Sequence, residues 1–126
     1  MLTKTVTFPS LADPKQNVEV ELRFHLYKHE LLELDSKYNG GLAEELKRAE
    51  GSNNNSIMFN LFTELILNSY GVPVKDPVLG EVFTKTPEAT ANFKNSPAFD
   101  AVFLEITKTV EDATKFFNAV ANLDLL

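Results

Sequence analysis

Two histidines are the side chains of this 126-residue chain best suited by type and spacing to bind a metal. His25 and His29 are four residues apart, which on one continuous helix would present two nitrogens to a zinc ion. Glu30 and Glu33 stand nearby as possible further ligands. However, His25 falls in a strand pattern and His29 in the helix that follows, so the spacing loses its geometric meaning. The pattern favours two solvated histidines, and we expect no metal site.

The charged helix around Glu44 and Glu45 is the next candidate for chemistry. Both carboxylates are interspersed with Lys47 and Arg48, and no apolar surroundings raise their pKa toward that of a general acid. The pair Gly40-Gly41 lacks the Lys-Ser/Thr of a phosphate loop, and no serine stands in a nucleophile elbow. Cysteine is absent, which excludes thiol catalysis and disulfides. The sequence therefore predicts a protein that is not an enzyme, with no catalytic residues and no cofactor.

Composition and charge narrow the possible partners. The net charge is −6 and only two arginines occur, Arg23 and Arg48, so a basic surface for nucleic acid is not expected. No segment approaches the roughly 18–20 uninterrupted apolar residues that span a bilayer, so we expect no membrane association. With 44% hydrophobic residues the chain can build a core, and its length suits a single domain over 1–126. An acidic protein of the cytosol is the expected class.

The first predicted secondary structure is a β-hairpin over 1–26. Apolar residues occupy every even position of the second strand, from Val18 to Leu26, and Glu or Arg residues fill most odd ones, which is typical of a half-buried strand. The stretch Thr3–Phe8 repeats the alternation, and Pro9–Gln16 suits a long hairpin loop. Because a lone hairpin is marginal in water, its apolar face must pack on the helices.

A helical part is expected over 27–126, with five or six helices. Start signals stand at Thr86-Pro87, at Ser96-Pro97 and at Thr109 followed by Asp112. A flexible loop is expected near 51–55, where the sequence is Gly-Ser-Asn-Asn-Asn, and Val72–Lys85 reads as irregular because of Pro73, Pro77 and Gly80. The predicted fold class is α+β, mainly α-helical, with an N-terminal antiparallel β-hairpin packed on a five- to six-helix domain.

The helix predicted from Asn55 to Gly71 is apolar over most of its circumference. Its polar residues form one narrow stripe in which Asn60, Glu64 and Asn68 recur every fourth position. A surface helix normally buries one stripe only, so this helix is either enclosed by its own domain or covered by a partner. We take the second possibility as a hypothesis and expect partner contacts at four residues: Phe59, Phe62, Ile66 and Tyr70.

The order of segments along the chain resembles the tail assembly chaperones of long-tailed bacteriophages (siphophages). The matching segments are LYKHELLELD from Leu26, ELILNSYGV from Glu64, EVFTKTPE from Glu81, FKNSPAFDAVFLEI from Phe93 and DATKFFNAV from Asp112. Together with the hairpin they cover nearly the whole chain. The specificity lies in the order of these segments, since each alone would match many helical proteins.

The resemblance implies a non-enzymatic chaperone for viral tail assembly, made in the host bacterial cytoplasm and absent from the mature virion. Such proteins coat the helical tape measure protein until the tail tube forms around it. The family also implies self-association and, in many cases, a longer form produced by ribosomal frameshifting. The alternative is a structural tail or neck protein that is retained in the virion.

Overall fold

The computed structural model describes residues 1–51 and 55–121, and in these ranges the chain forms six helices and four strands. The elements in chain order are β1 (Leu2–Pro9), β2 (Asn17–Phe24), α1 (Lys28–Ser36), α2 (Gly41–Gly51), α3 (Asn55–Ser69), β3 (Tyr70–Asp76), β4 (Gly80–Thr84), α4 (Pro87–Lys94), α5 (Pro97–Ile106) and α6 (Val110–Ala121). The strands form one antiparallel sheet in the order β1-β2-β3-β4. The fold is α+β and mainly helical, as predicted.

The first hairpin is confirmed. β1 and β2 pair along their full length, from Leu2 opposite Phe24 to Pro9 opposite Asn17. The loop between them closes through the N–H of Ser10, which donates to the carbonyl of Gln16 at 2.9 Å. Along β2 the even residues face the helices while most odd ones face solvent, because successive side chains of a strand point to opposite sides.

A second hairpin stands where the sequence predicted an irregular segment. β3 and β4 pair from Val72 opposite Thr84 to Asp76 opposite Gly80, so the expectation for Val72–Lys85 was wrong. The reason lies in the turn: Asp76 Oδ1 accepts the N–H groups of Val78 and Leu79 at 2.8 and 2.9 Å. Gly80 then takes a φ of +79°, which suits glycine after a tight turn. The turn residues thus separate two strands.

The helix starts follow the predicted capping residues. The hydroxyl of Thr86 accepts the N–H of Ala89 at 3.1 Å, and the hydroxyl of Ser96 accepts that of Phe99 at 3.4 Å. These bonds satisfy N–H groups that have no partner inside the helix. Likewise, Thr109 Oγ1 accepts the N–H of Asp112 at 3.0 Å at the start of α6. Three of the predicted helix starts are therefore confirmed.

The core lies between the helix-facing side of β1 and β2 and the helices α3, α5 and α6. Phe24, Val102 and Phe117 are fully buried there. Two backbone bonds fix the end of β2 to the helices: His25 N–H donates to Ser69 O at 2.8 Å, and Leu26 N–H to Val120 O at 3.0 Å. Of the predicted flexible loop near 51–55, residues 52–54 lie outside the described part of the chain.

Candidate partner-binding surface

Helix α3 occupies the centre of the domain. It contacts α2, α4, α5 and α6, and this enclosure explains why the helix is apolar on most sides. Phe62 and Ile66 are 2% and 1% exposed and lie in the core. A partner could therefore contact these two predicted site residues only if the domain opened. The other two differ, since Phe59 is 45% exposed and Tyr70 is half-buried.

Glu64 in the polar stripe of α3 is bound by the two residues that follow α1. Lys37 Nζ donates to Glu64 Oε1 at 2.9 Å, and the hydroxyl of Tyr38 donates to Glu64 Oε2. Burial alone would raise the pKa of Glu64, but these two hydrogen bonds together lower it. Burial and the same carboxylate raise the pKa of Tyr38 well above its usual range. Glu64 thus links α3 to the residues that follow α1 through a partly exposed ion pair and a hydrogen bond.

Five aromatic rings connect Phe59 to Tyr70, and we call them the aromatic row. Phe59 lies 5.8 Å from Phe103 between ring centroids, and Phe103 lies 5.8 Å from Phe99. Phe99 meets Phe93 edge-on at 5.5 Å, and Phe93 stacks on Tyr70 at 4.1 Å. Phe93 is buried, whereas the other four rings keep part of their surface accessible. The row therefore joins two of the four predicted site residues through α5 and α4.

A groove of about 490 Å³ begins where the row ends at Tyr70. Its floor is the helix-facing side of the first hairpin, and α4 forms its wall. The apolar residues that line it are Phe8, Val20, Leu22, Tyr70, Ala89, Phe93 and Ala98. The polar or charged lining residues are Glu21, Asn92 and Ser96. Such a mostly apolar concavity with a few polar groups at its rim suits recognition of an apolar side chain.

The second hairpin continues this apolar face beyond the helices. Phe24 and Tyr70 are directly opposite in the sheet, so Val72 and Val74 share their side of it. Both valines are exposed. At the tip of the hairpin Val78 is 89% exposed and Leu79 is 75% exposed. The face that the helices cover over the first hairpin is therefore open over the second.

Lys85 fixes the second hairpin to the body of the domain. Its Nζ donates at 2.7 Å to the carbonyl of His25 and at 2.8 Å to that of Asn68. The same ammonium pairs with Glu30 at 2.8 Å, and Glu30 in turn accepts the N–H of Tyr27 at 2.9 Å. Burial lowers the pKa of Lys85, while its bonds to Glu30 oppose that change. One side chain thus joins the ends of β2, α3 and β4 to the start of α1.

The rings of both histidines contact the ring of Tyr27. The ring of His25 lies edge-on to that of Tyr27 at 4.7 Å between centroids, and the ring of His29 stacks on that of Tyr27 at 5.8 Å. Burial, the N-terminal ammonium and Lys85 lower the pKa of His25. In residues 1–51 and 55–121 no group of three or more His, Cys, Asp or Glu side chains could hold a metal ion.

The charged face of helix α2 is largely exposed to solvent, while Leu42, Leu46 and Ala49 on its other face are buried. Arg48 pairs with Glu45 at 3.1 Å and Lys47 with Glu44 at 3.7 Å, each three residues apart. Arg48 also donates to the carbonyl of Asn39 at 2.6 Å. These exposed pairs contribute about 0.5 kcal/mol or less each to the stability of the helix.

A comparison with known protein families gives a match over the whole chain. A family model described as phage tail assembly chaperone matches residues 1–126. The chain belongs to this family. No curated protein sequence and no solved structure matches it significantly. The resemblance in the order of segments is thereby confirmed, and a chaperone of tail assembly must bind a tail protein.

For a tail assembly chaperone, the open apolar surfaces are the features to relate to function. Of these, the sequence pointed to Phe59 and Tyr70 but missed the groove and the second hairpin. The missed valines carried a signal, since Val72 and Val74 alternate with Pro73 and Lys75 as in a strand. Among the described residues no helix is both long and apolar enough to cross a membrane.

Proposed function

We propose that this chain binds the tape measure protein and keeps it soluble during tail morphogenesis, without catalysing a reaction. The family assigns the chain to tail assembly, and the observation that supports this client is the aromatic row. Three of its rings, those of Phe59, Phe103 and Phe99, are spaced at 5.8 Å. Side chains three or four residues apart on a helix are about 5–6 Å apart, so an apolar stripe of a helix matches this spacing.

Recognition would follow the helix-in-groove mode. An amphipathic helix of the tape measure protein would place apolar side chains against Phe59 and Phe103 and reach toward Tyr70. Aromatic residues supply large contact areas at small entropic cost, which favours such a surface. The net charge of −6 would keep the coated client in solution. Each contact would be weak, and avidity along a long client would supply the stability while permitting release.

The proposal also includes the cellular location of the chain and its further partners. It would work in the host bacterial cytoplasm, self-associate, and assemble with a frameshifted longer form where the gene provides one. It would be absent from the mature virion. Mass spectrometry of purified virions separates this from the alternative, a structural tail or neck protein, because a retained subunit would be present at stoichiometric levels.

Co-expression with the cognate tape measure protein tests the proposal. We expect the client to be soluble with the wild-type chain and to precipitate with Phe59→Ser. Leu32→Ser is the matched control, since Leu32 is an exposed leucine on α1 outside the row. A tape measure protein that is equally soluble with and without the chain would contradict the proposal.

A further inference from the structure

The second strand of the sheet has a long free edge. β2 pairs with β1 through eight residues but with β3 only through Arg23 and Phe24. Over the described residues, no other backbone bond covers the β3-facing edge of residues 17–22. Because every second residue of a strand directs its N–H and C=O to a given edge, this stretch offers unpaired donors and acceptors.

The groove beside Tyr70 lies on the helix-facing side of that same stretch. Val20 and Leu22 belong both to the free edge and to the groove floor, and Ala89 of α4 forms the opposite wall. A strand added to this edge would direct every second side chain into the groove. At about 490 Å³ the groove has room for more than one side chain of valine or leucine size.

The opposite side of β2 is acidic next to the free edge. Glu19 and Glu21 are exposed there and flank the position that an added strand would take. Glu21 pairs with Arg23 at the end of β2 that is hydrogen-bonded to β3. Directly opposite residues of neighbouring strands share a face, so a basic residue of the added strand would face Glu19.

We propose that the free edge of β2 binds an extended segment of a partner polypeptide by β-strand addition. The segment has apolar residues at alternate positions, which enter the groove, and Lys or Arg between them, which face the acidic side of β2. This recognition of a strand is separate from the helix binding proposed above. It does not depend on which tail protein is the client.

The test uses the peptide acetyl-Thr-Val-Lys-Val-Lys-Val-Thr-amide and the full chain. We expect binding with a Kd below about 1 mM, and the edge-facing amides of residues 17–22 should gain protection from hydrogen exchange. Replacing both lysines of the peptide by glutamate should weaken binding at least two- to five-fold, as expected for opposed charges across a strand pair. A peptide of the same composition without alternation should bind at least ten-fold more weakly.

Two protein variants locate the site. Ala89→Phe should fill the groove and weaken peptide binding at least ten-fold, whereas Ala91→Phe, on an exposed position of the same helix, should not. Glu19→Lys should weaken binding about two- to five-fold, and Glu33→Lys on α1 should not.

N-methylation of the peptide is the decisive readout. Because a strand directs alternate N–H groups to opposite edges, methylating one set of amides should abolish binding and methylating the other should not. Equal binding of both methylated peptides, or no binding by the parent peptide, would overturn the proposal. If these β2 amides become protected when only the concentration of the chain is raised, the edge pairs with a second copy of the chain. That result would also overturn the proposal. These peptide experiments do not involve the tape measure protein. Their failure can therefore be distinguished from failure of the proposed function.

Discussion

The two hairpins of the sheet have similar strands but bury their apolar faces to different extents. In the first, Val6, Leu22 and Phe24 are buried under the helices. In the second, Val72 and Val74 share the same side of the sheet but are exposed, and the tip residues Val78 and Leu79 are more exposed still. Apolar strand residues left open in a small domain are typical of interaction surfaces. The comparison indicates that the first hairpin stabilises the fold and the second is available for contacts.

The largest expected effect is on the first hairpin. Phe24→Ala removes a fully buried ring that lies edge-on to Tyr70, Phe93 and Phe116, and we expect it to lower the free energy of unfolding by about 3–5 kcal/mol. Val74→Ala on the second hairpin should cost about 0.5 kcal/mol or less. Urea denaturation followed by circular dichroism measures both values. Similar losses for the two variants would show that the second hairpin is as structural as the first.

Lys85→Met tests what fixes the second hairpin to the domain. The substitution removes the donor to two backbone carbonyls and the partner of Glu30, so we expect a loss of about 2–3 kcal/mol in unfolding free energy. Lys94→Met, at an exposed position of α4, should change stability by less than about 0.5 kcal/mol. Thermal and urea unfolding compare the two. A Lys85 variant as stable as the control would remove the proposed anchoring role.

His25 predicts a pH dependence at the junction of the hairpins. Its pKa in the folded chain lies below the ordinary histidine value of 6.5, mainly because of burial, so as the pH falls below 6.5 the unfolded chain binds the proton first. Stability should therefore be full above pH 6.5 and decrease from there down to the folded pKa. His25→Gln should flatten the slope in this window. Unfolding free energies at several pH values check this, and an unchanged slope in His25→Gln would contradict it.

The smallest effect on stability is expected at the tip of the second hairpin. The double substitution Val78→Ser with Leu79→Ser should change the unfolding free energy by less than about 0.5 kcal/mol, since both side chains are already exposed. If the tip serves in contacts, self-association measured by light scattering over a concentration series should decrease. A mass that rises with concentration as in the wild-type chain would exclude the tip from that interface.

The sequence predicts this fold correctly where a residue pattern is compatible with only one local structure. The alternation of β2 and the caps Thr86 and Ser96 act locally, and they were predicted correctly. Pro73 and Gly80 are compatible with two local structures, because both residue types are common in irregular segments and in tight hairpins. The contacts around α3 decide which apolar side chains remain open, and these depend on helices distant in sequence. Phe59 and Phe62 therefore look alike in the sequence, although the structure buries only Phe62.

We propose that the exposed apolar surface at Phe59 covers a tail protein during assembly. A photo-crosslinking amino acid at position 59, with position 32 as the exposed control, measures this most directly in cells that produce the tape measure protein. We expect a crosslink to the tape measure protein from position 59 and little or none from position 32. No crosslink from position 59, or equal crosslinking from both positions, would contradict it.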